Sequence, residues 1–298
     1  MTRSPRARRS VALLEGPVAE GGMADGARLA DMPLYTNLDR GERGLAALGI
    51  GPGERIAPEQ LHAIDQWHYH GLDAVDAAAR VLGLGPSSRV VDVGAGIGGP
   101  ARYLAHTYGC HVTALELQAE LHTVGADLTR RTGLDGRVTH VRGDALTEPL
   151  LPGSFDGILS LLAVLHIPDR PRLLARLGRL LRAGGGAYVE DLCERAPFAP
   201  ADLADLRGIV YGISITSADA YVADFSAAGF VAVTATDLTP DWAPYAAARL
   251  SAWRAGHDAY AAVHGEAAYA AQERFYATIA RLYDSGSLGG IRLVARVP

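Results

Sequence analysis

The sequence contains no lysine: all 28 of its basic residues are arginine. We read that as a compositional bias without a function of its own. Cysteine is almost as scarce. Cys110 and Cys193 stand alone, at no spacing that ligates zinc, so a disulfide framework is excluded and a reducing compartment fits. Long apolar runs are also missing, and nowhere does the chain hold the roughly 20 apolar residues a membrane helix needs. The formal net charge is −5, which leaves no broad basic field for nucleic acid or anionic lipid. A twin arginine, Arg8 and Arg9, invites an export-signal reading. The apolar run behind it, Val11 to Leu14, stops at Glu15 and is too short for a signal core. The expectation is a cytoplasmic protein whose partners are neither membranes nor nucleic acids.

At 298 residues the chain can bury a full core. Residues 1–30, rich in Arg, Gly and Ala, read as a leader that is flexible or docked on a partner, and self-association into a homo-oligomer is expected. Residues 31–88 read as a helical lid segment. Helical patterning starts near Leu34, breaks at Gly51–Gly53, passes through the cluster IDQWHYHG (Ile64–Gly71) and ends in an amphipathic helix, Leu72–Leu82. From Arg89 strands and helices alternate, the mark of a mostly parallel sheet covered on both faces. The expected strands are Val90–Val93, Val112–Glu116, Val138–Arg142, Gly157–Ser160, Ala187–Glu190, Val231–Thr236 and Ile291–Arg296, with helices over Pro100–Thr107, Gln118–Thr132, Asp169–Leu181 and Ser217–Ala228. Asp169 is a good N-cap letter, and AGGG at Ala183–Gly186 a good stop. Two insertions into this core of 89–298, at about 196–217 and 240–288, join the lid.

Gly94, Gly96 and Gly99 in VVDVGAGIGG match G-x-G-x-x-G, which alone serves several nucleotide-like ligands. A dinucleotide enzyme would seat a pyrophosphate at the following helix. Asp92, two residues before the first glycine, is awkward beside a pyrophosphate and suits a ligand carrying an ammonium and a sulfonium. Glu116 ends the second expected strand, where a carboxylate accepts both hydroxyls of a ribose. Asp144 ends the third, level with an adenine edge. Each acid alone is as readily a helix or turn cap. The three in order describe a pocket for S-adenosylmethionine.

With these motifs the chain resembles the class I S-adenosylmethionine-dependent methyltransferases over most of residues 60–298. The resemblance implies an α/β, Rossmann-like, seven-stranded sheet whose last strand is antiparallel, helices on both faces and a helical lid. It also implies that Gly94, Ala95 and Gly96 contact the methionyl part, Glu116 the ribose, and Asp144 and Ala145 the adenine with Gln118 beside them. Leu117, Leu161 and Trp67 complete the expected cofactor set. IDQWHYHGLDAV, LHIPDR and DLTPDW narrow the likeness to sarcosine/dimethylglycine and phosphoethanolamine N-methyltransferases and related natural-product C-methyltransferases.

In phosphobase methylation a histidine after the fourth strand works with an N-terminal tyrosine, and that histidine maps to His166. Tyr35 and Tyr69 are candidates for the tyrosine, and neither stands at the family's spacing, which leaves the substrate open. Glu190 or Asp191, ending the fifth strand, is a candidate base at the rim. His166 reads equally as a loop-pinning residue, and Glu190 as a surface or helix-start acid. Asp237, Trp242, Tyr211 and Tyr221 read as substrate wall or as packing, with packing favoured. His68, His70 and His166 lack metal-ligand spacing, so no metal is expected.

The expected function is methylation of a small molecule in specialised metabolism, either N-methylation of an amine or C-methylation of a prenyl or terpenoid scaffold. The alternatives are a cofactor-binding partner protein without catalysis and a nicotinamide-dependent dehydrogenase, the second disfavoured by Asp92.

Overall fold

The computed structural model describes residues 44–46, 49–62 and 64–298. The expected leader and Tyr35 lie outside the described residues. Seven strands form one sheet: β1 (Arg89–Val93), β2 (His111–Glu116), β3 (Val138–Arg142), β4 (Phe155–Leu161), β5 (Leu181–Glu194), β6 (Val231–Asp237) and β7 (Leu288–Arg296). Their order is β3-β2-β1-β4-β5-β7-β6. The first five run parallel, and β7 enters antiparallel between β5 and β6. The chain winds outward from β1 to β3, then returns to place β4 on the other side of β1. Open α/β sheets open a ligand crevice at such a reversal, outside the carboxyl ends of the strands.

Apolar residues on alternate faces of the strands explain the two layers of helix. Val91, Val93, Ile158 and Val189 pack with Leu173 and Leu177 of α5 (Arg170–Leu180) and Phe225 of α7 (Ala218–Ala227). Val90, Val112, Leu159 and Tyr188 pack on the opposite face with Val75 and Ala79 of α2 (Leu72–Leu82) and Leu104 of α3 (Gly99–Tyr108). Helix α4 (Ala119–Arg131) joins β2 to β3, and its Leu121 and Leu128 pack with Leu61 of the short α1 (Pro58–Leu61). Asp169 caps α5 as its letter suggests, accepting from the Arg172 amide at 3.1 Å.

The AGGG stretch does more than stop that helix. It falls inside β5, which begins at Leu181. A Cβ on Gly186 would come within 2.8 Å of a Leu82 methyl, so the bare backbone lets α2 lie against the sheet.

A third apolar cluster stands above the carboxyl edge. It joins Tyr69, Leu165 and Leu192 to Leu206 and Val210, which follow α6 (Pro200–Asp205), and to Trp242 and Ile279. The last two belong to α8 (Thr239–Ala255) and α10 (Glu266–Asp284), which with α9 (His257–His264) fill the connection from β6 to β7. No helix among the described residues is long and apolar enough to cross a membrane.

Candidate cofactor and acceptor site

The turn from β1 into α3 must double back sharply, and Gly94, Gly96 and Gly98 all take positive φ there (72°, 55° and 80°). Gly94 is also fixed by space: a Cβ would meet the Ala163 methyl at 2.4 Å. Above this turn lies a cavity of about 290 Å³. Its lower wall contains Gly94, Ala95, Gly96, Glu116, Leu117, Gln118, Asp144, Ala145, Leu161 and Trp67, which brings together every residue of the expected cofactor set except Asp92.

Glu116 organises that wall. Gly96 N–H donates to Oε2 and Gln118 N–H to Oε1, both at 2.8 Å, so one carboxylate ties the glycine loop to the end of its own strand. Each oxygen keeps lone-pair capacity for a further donor. Burial pushes its pKa up while these amides pull against the shift. One strand over, Asp144 accepts from the Leu146 amide at 2.8 Å and presents a half-buried carboxyl group to the same cavity.

Asp92 corrects the expectation of direct ligand contact. It is only 2% exposed and does not line the cavity. Burial, and next the negative charge of Glu116, raise its pKa to about 7. Its Oδ2 has no hydrogen-bond partner among the described residues. Asp92 therefore sits behind the loop, out of contact with the cavity.

The IDQWHYHG segment is bolted down by Arg102, which sequence reasoning missed, and by Gly99, which it read only as a letter of the loop motif. Arg102, buried in α3, donates to Asp65 Oδ2 at 2.9 Å, to the Ile97 carbonyl at 2.7 Å and to Thr129 Oγ1 at 3.2 Å. A Cβ on Gly99 would approach the Asp65 carbonyl oxygen to 2.1 Å, so glycine is required for the segment to seat. The available signal was an arginine inside the apolar stripe Ala101, Leu104, Ala105. Trp67 follows, donating its indole N–H to the Ile64 carbonyl at 3.0 Å and standing 4.0 Å from where a Gly96 Cβ would be.

His166 ends the tight turn after β4 and lines the cavity. Its Nδ1 lies 2.9 Å from the Tyr211 carbonyl, which only accepts, so Nδ1 carries the proton. Burial lowers its pKa to about 4, and the ring is a neutral imidazole with its lone pair on Nε2. Tyr69 also lines the cavity, stacked on Trp242 at 4.3 Å, with burial raising its pKa to about 12, so it keeps its phenolic proton. His68 lies beside it, its Nε2 2.8 Å from the Gly71 carbonyl and its pKa lowered by burial to about 4.

Glu190 is the second correction. Strand alternation sends its side chain to the same face as Tyr188, where it accepts from the Tyr188 hydroxyl at 2.6 Å and from Arg292 at 2.8 and 2.9 Å. It is outside the cavity wall, which β5 reaches only at Leu192. Asp191 is turned to the opposite layer and accepts from the Tyr221 hydroxyl at 2.6 Å. Trp242 and Tyr221 are buried packing residues, and Asp237 caps a turn by accepting from the Thr239 amide at 2.8 Å. Among the described residues no cluster of histidine, cysteine or acidic groups is arranged to hold a metal ion.

The upper wall comes from the insertion expected to join the lid, but its cavity-facing residues were not foreseen. Arg249 of α8, Tyr260 of α9 and Gln272, Phe275, Tyr276 and Ile279 of α10 all reach the cavity. The α10 positions follow i, i+3, i+4, i+7, one face of a helix.

Residues 91–189, which run from β1 into β5, match the sequence family described as a methyltransferase domain. Those residues resemble a methyltransferase domain, and the sheet around them has the class I methyltransferase fold. Within curated proteins, the domain is 43% identical over 102 residues to sarcosine/dimethylglycine N-methyltransferase of Halorhodospira halochloris. That match covers 34% of this chain and only 37% of the relative's length. Among solved structures it shares its fold with phosphoethanolamine N-methyltransferase 2 of Haemonchus contortus bound to S-adenosyl-L-methionine. The TM-score there is 0.76 at 19% identity, covering 93% of this chain and 61% of the other. A geranyl diphosphate C-methyltransferase of Streptomyces coelicolor A3(2) superposes with a TM-score of 0.65 at 21% identity, covering 85% and 87%. The fold is thus one that proteins named as N- and as C-methyltransferases share.

Proposed function

We propose that this protein transfers the methyl group of S-adenosylmethionine to a small molecule, with an amine nitrogen as acceptor. The observation that carries the reading is Glu116. It is a cavity-facing carboxylate clamped by the glycine loop, with Asp144 one strand away and a buried, partly unsatisfied Asp92 behind. A ribose, an adenine edge and a cation meet complementary groups in that order. A pyrophosphate at the same loop would face the fields of Asp92 and Glu116, which disfavours a nicotinamide cofactor.

When bound, S-adenosylmethionine supplies an electrophilic methyl on a sulfonium, which departs as a neutral thioether when the carbon–sulfur bond breaks. The protein's share is to hold the acceptor in line and dry, a contribution of roughly 7–11 kcal/mol in well-oriented reactions. Neutral His166 offers the Nε2 lone pair as a hydrogen-bond acceptor for the amine N–H, the Tyr69 hydroxyl helps orient the nitrogen, and the proton released on methylation leaves to solvent. Three carboxylates line the cavity among the described residues: Asp65, held by Arg102, and Glu116 and Asp144 on the cofactor side. None of the three belongs to α8, α9 or α10, so the upper wall itself supplies no carboxylate to a carbocation, which favours amine methylation over C-methylation of a prenyl scaffold. Buried, unbridged Cys110 and Cys193 suit a reducing cytoplasm.

Titration calorimetry with S-adenosylhomocysteine and with NAD⁺ tests the reading. Micromolar binding of the first and none of the second is expected, and the reverse overturns it. Release of S-adenosylhomocysteine in the presence of an amine acceptor separates an enzyme from a cofactor-binding partner protein.

A further inference from the structure

Arg249 introduces a charge into the upper wall that nothing else there answers. It lines the cavity from α8, with its Cζ 4.9 Å from the centre of the Tyr276 ring. Among the described residues no carboxylate pairs with it, although its neighbours in the same insertion are matched: Arg254 with Glu273, and Arg281 with Asp202 and Asp205. It is also the only arginine among the described residues of the cavity wall. The two imidazoles of the wall, His68 and His166, are neutral and add no positive charge to that of Arg249. Gln272, one turn before Tyr276 on α10, adds an amide at the same wall.

The rest of that wall is aliphatic or aromatic: Leu165, Leu192, Val210, Ala246, Phe275 and Ile279. A half-buried guanidinium stacked on a ring has lost part of its hydration, and an anion restores the loss through paired, charge-assisted hydrogen bonds. Small, fully hydrated anions gain nothing from six apolar side chains, whereas a hydrocarbon body gains about 25 cal/mol for each Å² it buries.

We propose that the methyl acceptor is an organic anion with an apolar body, and that Arg249 is the specificity-determining residue that grips its anionic head, a carboxylate or a phosphate. The proposal rests on the methyltransferase reading of this cavity. It narrows the acceptor to amphiphiles and removes both neutral lipids and small polar zwitterions.

The test is calorimetry on the full chain saturated with S-adenosylhomocysteine, titrated in turn with octanoate, octyl phosphate, octan-1-ol and acetate. At least one octyl anion should bind about tenfold more tightly than octan-1-ol, and acetate should bind far more weakly than octanoate. Octanoate against octyl phosphate tells which head group is preferred. R249M should bring the octyl anions down to the level of octan-1-ol, R249K should keep part of the preference, and S-adenosylhomocysteine affinity should stay unchanged in both, which also reports an intact fold. The proposal is overturned if octan-1-ol matches both anions, if acetate matches octanoate, or if no octyl compound binds at millimolar concentration. It is overturned as well if R249M weakens S-adenosylhomocysteine instead, since Arg249 would then hold the cofactor's own carboxylate. Failure of wild-type protein to bind S-adenosylhomocysteine would remove the methyltransferase reading. The octyl series on the unliganded chain would then decide the Arg249 site alone.

Discussion

The lower and upper walls of the cavity are made of different materials. Below, backbone and carboxylates at the ends of β1, β2 and β3 line the cavity, and neighbouring strands are spaced by about 4.8 Å. Above, rings and aliphatic side chains from α8, α9, α10 and the turn after β4 close the space, with one arginine among them. A sheet edge holds its groups rigidly, which suits a cofactor that is the same in every cycle. Helix faces repack one side chain at a time, so the upper wall can change its acceptor without disturbing the lower one. Binding and turnover should therefore come apart under mutation.

The largest break expected is His166→Ala. Loss of a group that holds the acceptor nitrogen in line slows reactions by roughly 10²-fold or more, and turnover should fall by at least that order while S-adenosylhomocysteine binds as before. Because burial holds the His166 pKa near 4, the rate of wild-type protein should show no ionisation of this group between about pH 5 and 8. A variant with full activity would reduce His166 to the residue that pins Tyr211. Next is Glu116→Ala, which removes two clamps on the loop and the carboxylate offered to the ribose. Cofactor affinity should drop about a hundredfold by calorimetry, in keeping with two charge-assisted hydrogen bonds, and binding of the octyl anions in the absence of cofactor should be spared. Equal loss of both would mean the two walls are one cooperative unit.

The same contrast governs what the letters reveal. The lower wall is local: GAGIGG, Glu116 and Asp144 each sit at a strand end that periodicity locates, so their convergence follows from a parallel sheet and needs no knowledge of packing. Most strand spans shifted by three residues or fewer; β5, expected over Ala187–Glu190, instead runs from Leu181 to Glu194, because Leu181 pairs with Phe155 at the start of the sheet and the strand continues along β7 to Glu194. The upper wall is non-local. Arg249 and Tyr276 meet because α8 packs on α10, and an Ala-rich segment announces helix without announcing which side chains face a cavity.

Asp92 and Glu190 show a finer limit. Both lie near strand ends, yet whether a side chain enters the crevice or the layer beneath turns on the parity of one residue. Arg292, which captures Glu190, is 102 positions away.

Asp92→Asn probes the smallest effect and the junction of the two walls. The folded-state pKa of Asp92 is raised from 3.8 to about 7, so between those values the native protein keeps a proton that the unfolded chain releases. That contribution is complete below about pH 4 and is lost as pH rises through about 7. Asparagine keeps an oxygen for the Ala101 amide and carries no charge, so its melting temperature should gain on wild type between pH 5 and pH 8. The whole-protein profile is not diagnostic. Asp191 shifts in the same direction, whereas His68, His140 and His166, all lowered to about 4, lose stability as pH falls below 6.5 and oppose it. The difference between the two proteins at each pH isolates Asp92. Saturating S-adenosylmethionine should shrink the gap at pH 8, because a cation over the loop stabilises the ionised carboxylate and gives the wild type a few-fold affinity advantage that disappears at pH 5. A gap indifferent to ligand would place the cation of the cofactor beyond the reach of Asp92 and leave Glu116 as the acid that chooses the ligand.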